Sequence, residues 1–158
     1  MNTYSFEWNE NGKLVEELMK PITSITAHFG KAQRPISIDL VRSDGVAIQI
    51  RSKMRDIEER LEVGTLVFSI GPSSNDDAKD ISIFQDSVVL ETIEVLVLVY
   101  SYAEFEFYSG IILKFSNEQE FMVVCGDNPY TLTFSIDKGE TLAFPSEYQI
   151  DNYKLRNI

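Results

Sequence analysis

The sequence predicts a mainly β fold: an antiparallel sandwich or barrel of about eight strands with one or two short helices. Apolar residues alternate with polar ones along most of the chain, which is the period of a half-buried strand. Turn residues recur roughly every ten residues, as in small all-β domains. The 158 residues correspond to a single domain, 1–158, large enough to form a core without disulfides.

The first half opens with a predicted helix and continues with strands. An apolar helical stripe over residues 14–19 ends at Pro21. Residues 35–42 and 46–51 alternate on either side of Ser43-Asp44-Gly45, and Asp-Gly between alternating runs predicts a hairpin because glycine supplies the positive φ of the turn. The helical spacing of apolar residues between 52 and 63 predicts a second helix, followed by a strand at 65–70.

The second half contains only predicted strands. Residues 93–100 are apolar on both faces beyond Glu94, which is typical of a covered central strand. A strand from 104 to 115 is expected to kink or bulge at Ser109-Gly110. Further strands are predicted at 121–125 and 132–136. Residues 71–80 have the composition of a loop that joins the two halves.

The two halves resemble each other, and the predicted units are 22–70 and 88–136. The first contains Leu-Val-Phe-Ser-Ile at 66–70, and the second contains Leu-Thr-Phe-Ser-Ile at 132–136. Superposition pairs Leu40, Ser43, Asp44 and Ile48 with Leu113, Ser116, Asn117 and Phe121. The pattern predicts two similar meanders around one core. Duplication and a chance similarity of two meanders both account for it.

The charge is strongly negative and unevenly distributed. The net charge is −11; residues 1–79 hold ten Lys and Arg against twelve Asp and Glu (−2), and residues 80–158 hold four against thirteen (−9). Such a field repels phosphate backbones and anionic membranes, which argues against nucleic-acid or membrane partners. It attracts a basic partner or keeps the protein soluble. The single cysteine and the polar N-terminus predict a cytoplasmic protein without a signal peptide.

Candidates for catalysis and metal binding are few. The one histidine, His28, alternates with apolar neighbours and is expected to face solvent, and the one cysteine, Cys125, is expected in the core. These residues cannot supply a zinc site. Glu104 and Glu106 lie on one strand face about 7 Å apart, a spacing that inverting glycosidases use, but it is also typical of a solvated face. We therefore expect a protein without enzymatic activity, cofactor or metal.

The C-terminal third combines tyrosines with acidic and turn residues. It contains Gly-Asp-Asn-Pro-Tyr at 126–130 and Glu-Tyr-Gln-Ile-Asp-Asn-Tyr at 147–153. Tyrosines beside carboxylates are typical of protein interfaces. The candidate protein-binding residues are Asp127, Tyr130, Glu147, Tyr148, Asp151 and Tyr153. This third resembles small, mostly uncharacterised bacterial proteins, some of which look like immunity proteins of contact-dependent or polymorphic toxin systems. The resemblance implies a protein that neutralises a basic toxin.

Two other functions remain open at this point. The first is a small-ligand-binding barrel or sandwich whose pocket is lined by Phe105, Phe107, Tyr108 and Tyr130. The second is an enzyme that uses carboxylates alone. The protein is expected to be a monomer or a homodimer, since the edge strands of an open sheet can pair between chains.

Overall fold

The structure is a computed structural model of the chain, and it describes residues 2–30, 34–58, 61–72, 78–80, 89–126, 130–136 and 153–158. These residues form one helix, α1 (Leu14–Leu18), and twelve strands. The strands are β1 (Asn2–Tyr4), β2 (Glu7–Trp8), β3 (Ile22–Phe29), β4 (Pro35–Arg42), β5 (Ala47–Glu58), β6 (Leu61–Gly71), β7 (Ala78–Asp80), β8 (Thr92–Tyr102), β9 (Phe105–Phe115), β10 (Glu120–Cys125), β11 (Leu132–Ile136) and β12 (Tyr153–Asn157).

The strands form two sheets that pack face to face. Sheet A has the order β11-β10-β9-β8-β12, and β1 lies parallel to one end of β9. Sheet B has the order β2-β6-β5-β4-β3-β7. Since no strand pair among the described residues joins the two sheets, the prediction of a mainly β fold is confirmed in its sandwich form. The strands beyond the expected eight are β1, β2, β7 and β12, which are short edge strands.

The main core lies between the sheets. Its largest fully buried side chains include Phe115 and Phe121 of sheet A, which pack with leucines and isoleucines of sheet B. Leu14 and Leu18 of α1 belong to the same core, so the first predicted helix is confirmed and closes one end of the sandwich. Phe6 connects β1 in sheet A to β2 in sheet B, and its ring contacts Phe68 and Tyr108 at 5.0 and 5.2 Å.

Each predicted repeat unit contains the four-stranded meander of one sheet. Residues 22–70 contain β3 to β6, and residues 88–136 contain β8 to β11. Equivalent apolar positions occupy equivalent places: Leu40 and Ile48 belong to the main core, as do Leu113 and Phe121. This arrangement fits the pseudo-repeat, which stays a prediction.

The second predicted helix is wrong, because residues 52–58 and 61–63 belong to the paired strands of a long hairpin. Strand β5 continues to Glu58 and pairs with β6 from Ala47↔Gly71 to Glu58↔Leu61. The charged run at 55–60 is compatible with a helix, but pairing over the whole length of β5 outweighs that local preference. The first half therefore differs from the second by an extended hairpin, hereafter the long hairpin.

The predicted turn between β4 and β5 is confirmed, and a buried arginine braces it. Gly45 has a φ of +81°, and the Asp44 carboxylate accepts a hydrogen bond from the Val46 amide at 3.1 Å. The Arg42 guanidinium donates to Asp44 at 2.6 and 3.2 Å and also to Glu17 of α1. These bonds lower the pKa of Asp44, and Lys20 together with Arg42 lowers that of Glu17. Arg42 thus ties α1 to the hairpin.

Two further predictions concern sheet A and the linking segment. The register of β8 with β9 skips Ser109, which confirms the predicted bulge, and β8 is buried on both faces as expected. In the predicted loop 71–80, residues 78–80 instead form β7 at the edge of sheet B, and residues 73–77 lie outside the described residues. No helix in the described part of the chain is long and apolar enough to cross a membrane.

Candidate protein-binding surface

Of the six candidate binding residues, the structure describes Tyr130 and Tyr153. Asp127, Glu147, Tyr148 and Asp151 lie outside the described residues. Tyr130 stands in the turn between β10 and β11, and Tyr153 is the first residue of β12. Because β11 and β12 form opposite edges of sheet A, the register alone does not place the two tyrosines together.

Tyr130 is exposed and has an unfavourable backbone conformation. Its side chain is 65% exposed and its φ is +63°. The turn is closed by a hydrogen bond of 2.8 Å from the Gly126 amide to the Thr131 carbonyl. A bulky residue in the left-handed region costs roughly 1–2 kcal/mol relative to the ordinary helical region. Core packing does not repay this cost, because the ring projects into solvent.

Tyr153 belongs to a group of aromatic rings on sheet A, which we call the aromatic face. Its ring lies 5.6 Å from Tyr100, and Phe107 stacks on Tyr4 at 5.1 Å with 7° between the planes. The register places Tyr100 and Phe107 opposite each other, on the face of sheet A that carries Leu98. The members of the aromatic face are Tyr4, Tyr100, Phe105, Phe107 and Tyr153.

The long hairpin reaches this region through a gap in the edge of sheet A. Strand β10 pairs with β9 as far as Gly110, and β1 pairs with residues 105–107. Between these partners, the Ser109 hydroxyl donates a hydrogen bond of 2.7 Å to the Gly64 carbonyl of β6. The predicted bulge therefore does more than bend β9, because it docks the long hairpin at the gap.

The hairpin, the aromatic face and the β10 turn enclose a small cavity, hereafter the tyrosine crevice. It has a volume of about 40 Å3. It is lined by Met54, Glu62, Val63 and Gly64 of the hairpin, Tyr100 and Ser109 of the central strands, Cys125 and Gly126 at the end of β10, and Tyr153. The cavity joins Tyr153 to Gly126, the residue that precedes Asp127 in sequence. Gly126 of the 126–130 motif and Tyr153 of the 147–153 motif therefore line the same cavity.

The carboxylates beside the crevice face each other. Glu62 lines the crevice, and the β5 to β6 register places Asp56 directly opposite it. Both side chains are exposed, and neither forms an ion pair with the described cations. Arg55 is directed elsewhere: it donates to Thr65 at 3.0 Å and lies 5.8 Å over the Tyr4 ring. Like charges directly opposite across a sheet are destabilising.

A second carboxylate near the aromatic face is neutralised. Glu106 accepts two hydrogen bonds from Arg156 of β12, at 2.9 and 3.1 Å, and is only 8% exposed. These bonds hold the pKa of Glu106 below its usual value. The prediction of a solvated Glu106 is therefore wrong, because β12 covers this side chain. The other carboxylate of the predicted pair, Glu104, lies in the turn before β9. The ion pair fixes β12 to the sheet.

The expectation for His28 is also wrong. Its side chain is buried, and Nε2 lies 3.0 Å from Asp39 Oδ2 on the neighbouring strand. It does lie on the face opposite the core residues Ile25 and Ala27, as alternation indicates. The alternation therefore predicts the correct side of the strand for His28. The predicted exposure is wrong, because that side of the strand is covered around His28.

Cys125 is buried as expected, and burial raises the pKa of its thiol to about 12. A thiol with such a pKa is a poor nucleophile at neutral pH. Among the described residues, no group of three or more His, Cys, Asp and Glu side chains is placed to hold a metal ion.

A larger and more open hollow lies along the N-terminal segment. Its volume is about 440 Å3, and it is lined by residues 3–9 and Arg55. Trp8 lines it and donates a hydrogen bond of 3.1 Å from Nε1 to the Gly12 carbonyl. Of the residues expected to line a ligand pocket, Phe105 and Phe107 belong to the aromatic face instead, and Tyr108 contacts Phe6 and Arg156.

Sequence reasoning missed the residues that the long hairpin contributes. Glu62 and Met54 are far from the tyrosine motifs in the sequence, and a helix at 52–63 places them elsewhere. The usable signal was the group of β-branched residues Val63, Thr65 and Val67, which indicates a strand that starts before residue 65.

No known protein family, curated protein or solved structure matches the chain. The fold and the surface define a class only, an acidic β-sandwich with an aromatic crevice.

Proposed function

We propose that the protein is a non-enzymatic binding domain whose acidic C-terminal half contacts a basic protein, and that it acts as an immunity-type protein that neutralises a basic toxin in the cytoplasm. The contact surface comprises Tyr130, the tyrosine crevice and the carboxylates near them in the sequence and the structure. The net charge of −9 on residues 80–158 steers a basic partner to this half.

The observation that carries the proposal is the state of Tyr130. An aromatic ring that is 65% exposed on a backbone with a φ of +63° contributes little to the core and costs stability. Exposed tyrosines are well suited to interfaces, since they bury a large rigid area and keep a polar end. A strained exposed tyrosine is therefore better explained by binding than by folding.

Crosslinking at two matched positions tests this proposal. Glu118 has a φ of +70° and is exposed, but it lies in the turn at the opposite end of β10 from Tyr130. A photoreactive phenylalanine at position 130 should crosslink a basic protein in the native host, whereas the same group at position 118 should not. Equal crosslinking from both positions, or none from position 130, contradicts the proposal.

The dependence on salt tests the electrostatic part. Association with the captured partner should slow at least tenfold between about 0.1 and 1 M NaCl, since the Debye length falls from about 10 to 3 Å. Dissociation should change much less. An association rate that is insensitive to salt rules out steering by the acidic half.

A second candidate, small-ligand binding, is favoured by the N-terminal hollow. Its volume of about 440 Å3 lies in the range of ligand sites. Trp8 is the single tryptophan of the chain, so its emission reports on this hollow specifically. Saturable quenching by a metabolite extract, lost in Arg55→Ala, supports this function, and unchanged emission rejects it.

A further inference from the structure

We propose that the tyrosine crevice receives the ammonium group of one lysine side chain of the partner. This inference rests on the proposed function, since it names the group through which a basic partner is recognised. It assigns the binding determinant to Glu62, Tyr100 and Tyr153, of which Tyr153 alone was a candidate from the sequence.

The walls of the crevice suit a cation. The rings of Tyr100 and Tyr153 both line the crevice, and they lie 5.6 Å apart with 54° between their planes. Aromatic faces attract ammonium groups, most strongly where water is partly excluded. Met54 and Val63 supply apolar contacts for the methylene stem, and Glu62 is the only charged side chain among the described residues that line the crevice.

The carboxylates beside the crevice form no ion pair with the cations that the structure describes. Glu62 and Asp56 stand directly opposite each other on the long hairpin, without a described ion pair. Arg55, next to Asp56 in the sequence, is bonded to Thr65 and lies over Tyr4. An incoming ammonium group would remove the repulsion between the two carboxylates. This repulsion is independent of the aromatic walls, and both point to the same ligand.

The size of the crevice favours lysine over arginine. A water molecule needs roughly 10–15 Å3 of such volume, so about 40 Å3 holds roughly three or four small groups. The terminal methylene and ammonium of lysine meet this limit. The guanidinium of arginine together with the methylene that carries it has five heavy atoms and exceeds it.

A titration with small probes tests the crevice directly. Nα-acetyl-lysine methylamide should shift the backbone amide NMR signals of Gly64 and Gly126 in a saturable manner. The norleucine analogue lacks the ammonium group and should not, and the arginine analogue should bind at least about threefold more weakly. Absence of saturation, or equal shifts with norleucine, overturns the inference.

Variants assign the effect to the named residues. Glu62→Gln should weaken binding of the lysine probe at least about threefold, whereas Glu118→Gln, an exposed control at the other end of β10, should change it less than twofold. Tyr153→Phe keeps the ring and should keep binding, and Tyr153→Leu should lose it. Equal binding of the probe by the Glu62→Gln variant and the wild-type protein overturns the assignment.

The inference and the proposed function can fail separately. If the lysine probe binds in the crevice but position 130 crosslinks no basic protein, the crevice stands and the proposed function fails. If position 130 crosslinks a basic protein whose affinity is unchanged by Glu62→Gln, and the probe does not bind, the proposed function stands and the crevice fails.

Discussion

Gly64 shows how a single residue permits the contact between the two sheets. A Cβ atom at this position would lie 2.7 Å from Cys125 Cβ and 3.0 Å from its sulfur. Such distances are too short for carbon contacts, so only glycine lets β6 approach the end of β10 this closely. The docking of the long hairpin through Ser109 depends on the same approach.

We expect Gly64→Ala to destabilise the protein by roughly 1–3 kcal/mol, because the added methyl overpacks the contact with Cys125. Gly71→Ala is the matched control: it lies on the same strand, has no positive φ, and its added Cβ would meet nothing within 4 Å. That variant should be neutral or slightly more stable. Urea unfolding measures both, and equal effects would show that the contact at Gly64 does not limit packing.

Glu62 illustrates a residue whose arrangement does not favour stability. It stands opposite Asp56 without a counterion among the described residues, and like charges in this position cost roughly 0.2–1 kcal/mol. We therefore expect Glu62→Gln to raise the free energy of unfolding by up to about 1 kcal/mol at pH 7. Glu120→Gln should not raise it, since Glu120 lies near Lys114 at 3.7 Å. Thermal denaturation of both variants checks this, and a less stable Glu62→Gln would contradict it.

At the scale of elements, the sequence predicts strands wherever tertiary contacts agree with local pattern. The turn at Gly45 and the bulge at Ser109 follow from turn residues and glycine alone. The strand at residues 52–58 does not, because this segment has helical spacing of its apolar residues and only pairing with β6 makes it a strand. The crevice depends on that hairpin, so its composition could not be derived from the sequence.

The Arg42 contacts join two elements and make their stability depend on pH. The Arg42 side chain is 6% exposed, whereas Asp44 is 50% exposed, which reduces the strength of that pair. Substitution Arg42→Met should cost roughly 1–2 kcal/mol at pH 7, because the partly buried Glu17 then keeps only Lys20 as a partner and loses its link to the hairpin. The start of β5 and the helix α1 should lose hydrogen-exchange protection together.

The pH dependence of this variant has a defined sign. Since the pKa values of Glu17 and Asp44 are lowered in the folded state, their contribution is present above about pH 4 and is lost as the pH falls further. The difference in stability between wild type and Arg42→Met should therefore shrink below about pH 4. A difference that is constant from about pH 7 to pH 3 would assign the loss to packing instead.

At the scale of the molecule, the sheets divide the charge as well as the core. Sheet A derives mainly from the half with a net charge of −9, and sheet B from the half with −2. The sequence alone predicts this difference in charge, because the net charge of each half is counted from its residues. The structure adds that both halves line the tyrosine crevice, because Met54, Glu62, Val63 and Gly64 come from the first half and the other lining residues from the second.

The balance between self-repulsion and ion pairs decides how salt affects the whole protein. The net charge of −11 destabilises the folded state through repulsion, whereas the pairs of Arg42 and Arg156 stabilise it. Long-range repulsion is screened by salt more than hydrogen-bonded contacts at 2.6 to 3.1 Å. Repulsion should therefore dominate the response to salt.

We expect the urea midpoint at pH 7 to rise when NaCl increases from about 0.1 to 1 M, since the Debye length then falls to about 3 Å. At pH 4.5, close to the isoelectric point, the same addition should have a much smaller effect because the net charge is near zero. Equilibrium unfolding at both pH values measures this difference. A midpoint that falls with salt at pH 7 would contradict this expectation and would mean that the ion pairs of Arg42 and Arg156 outweigh the repulsion.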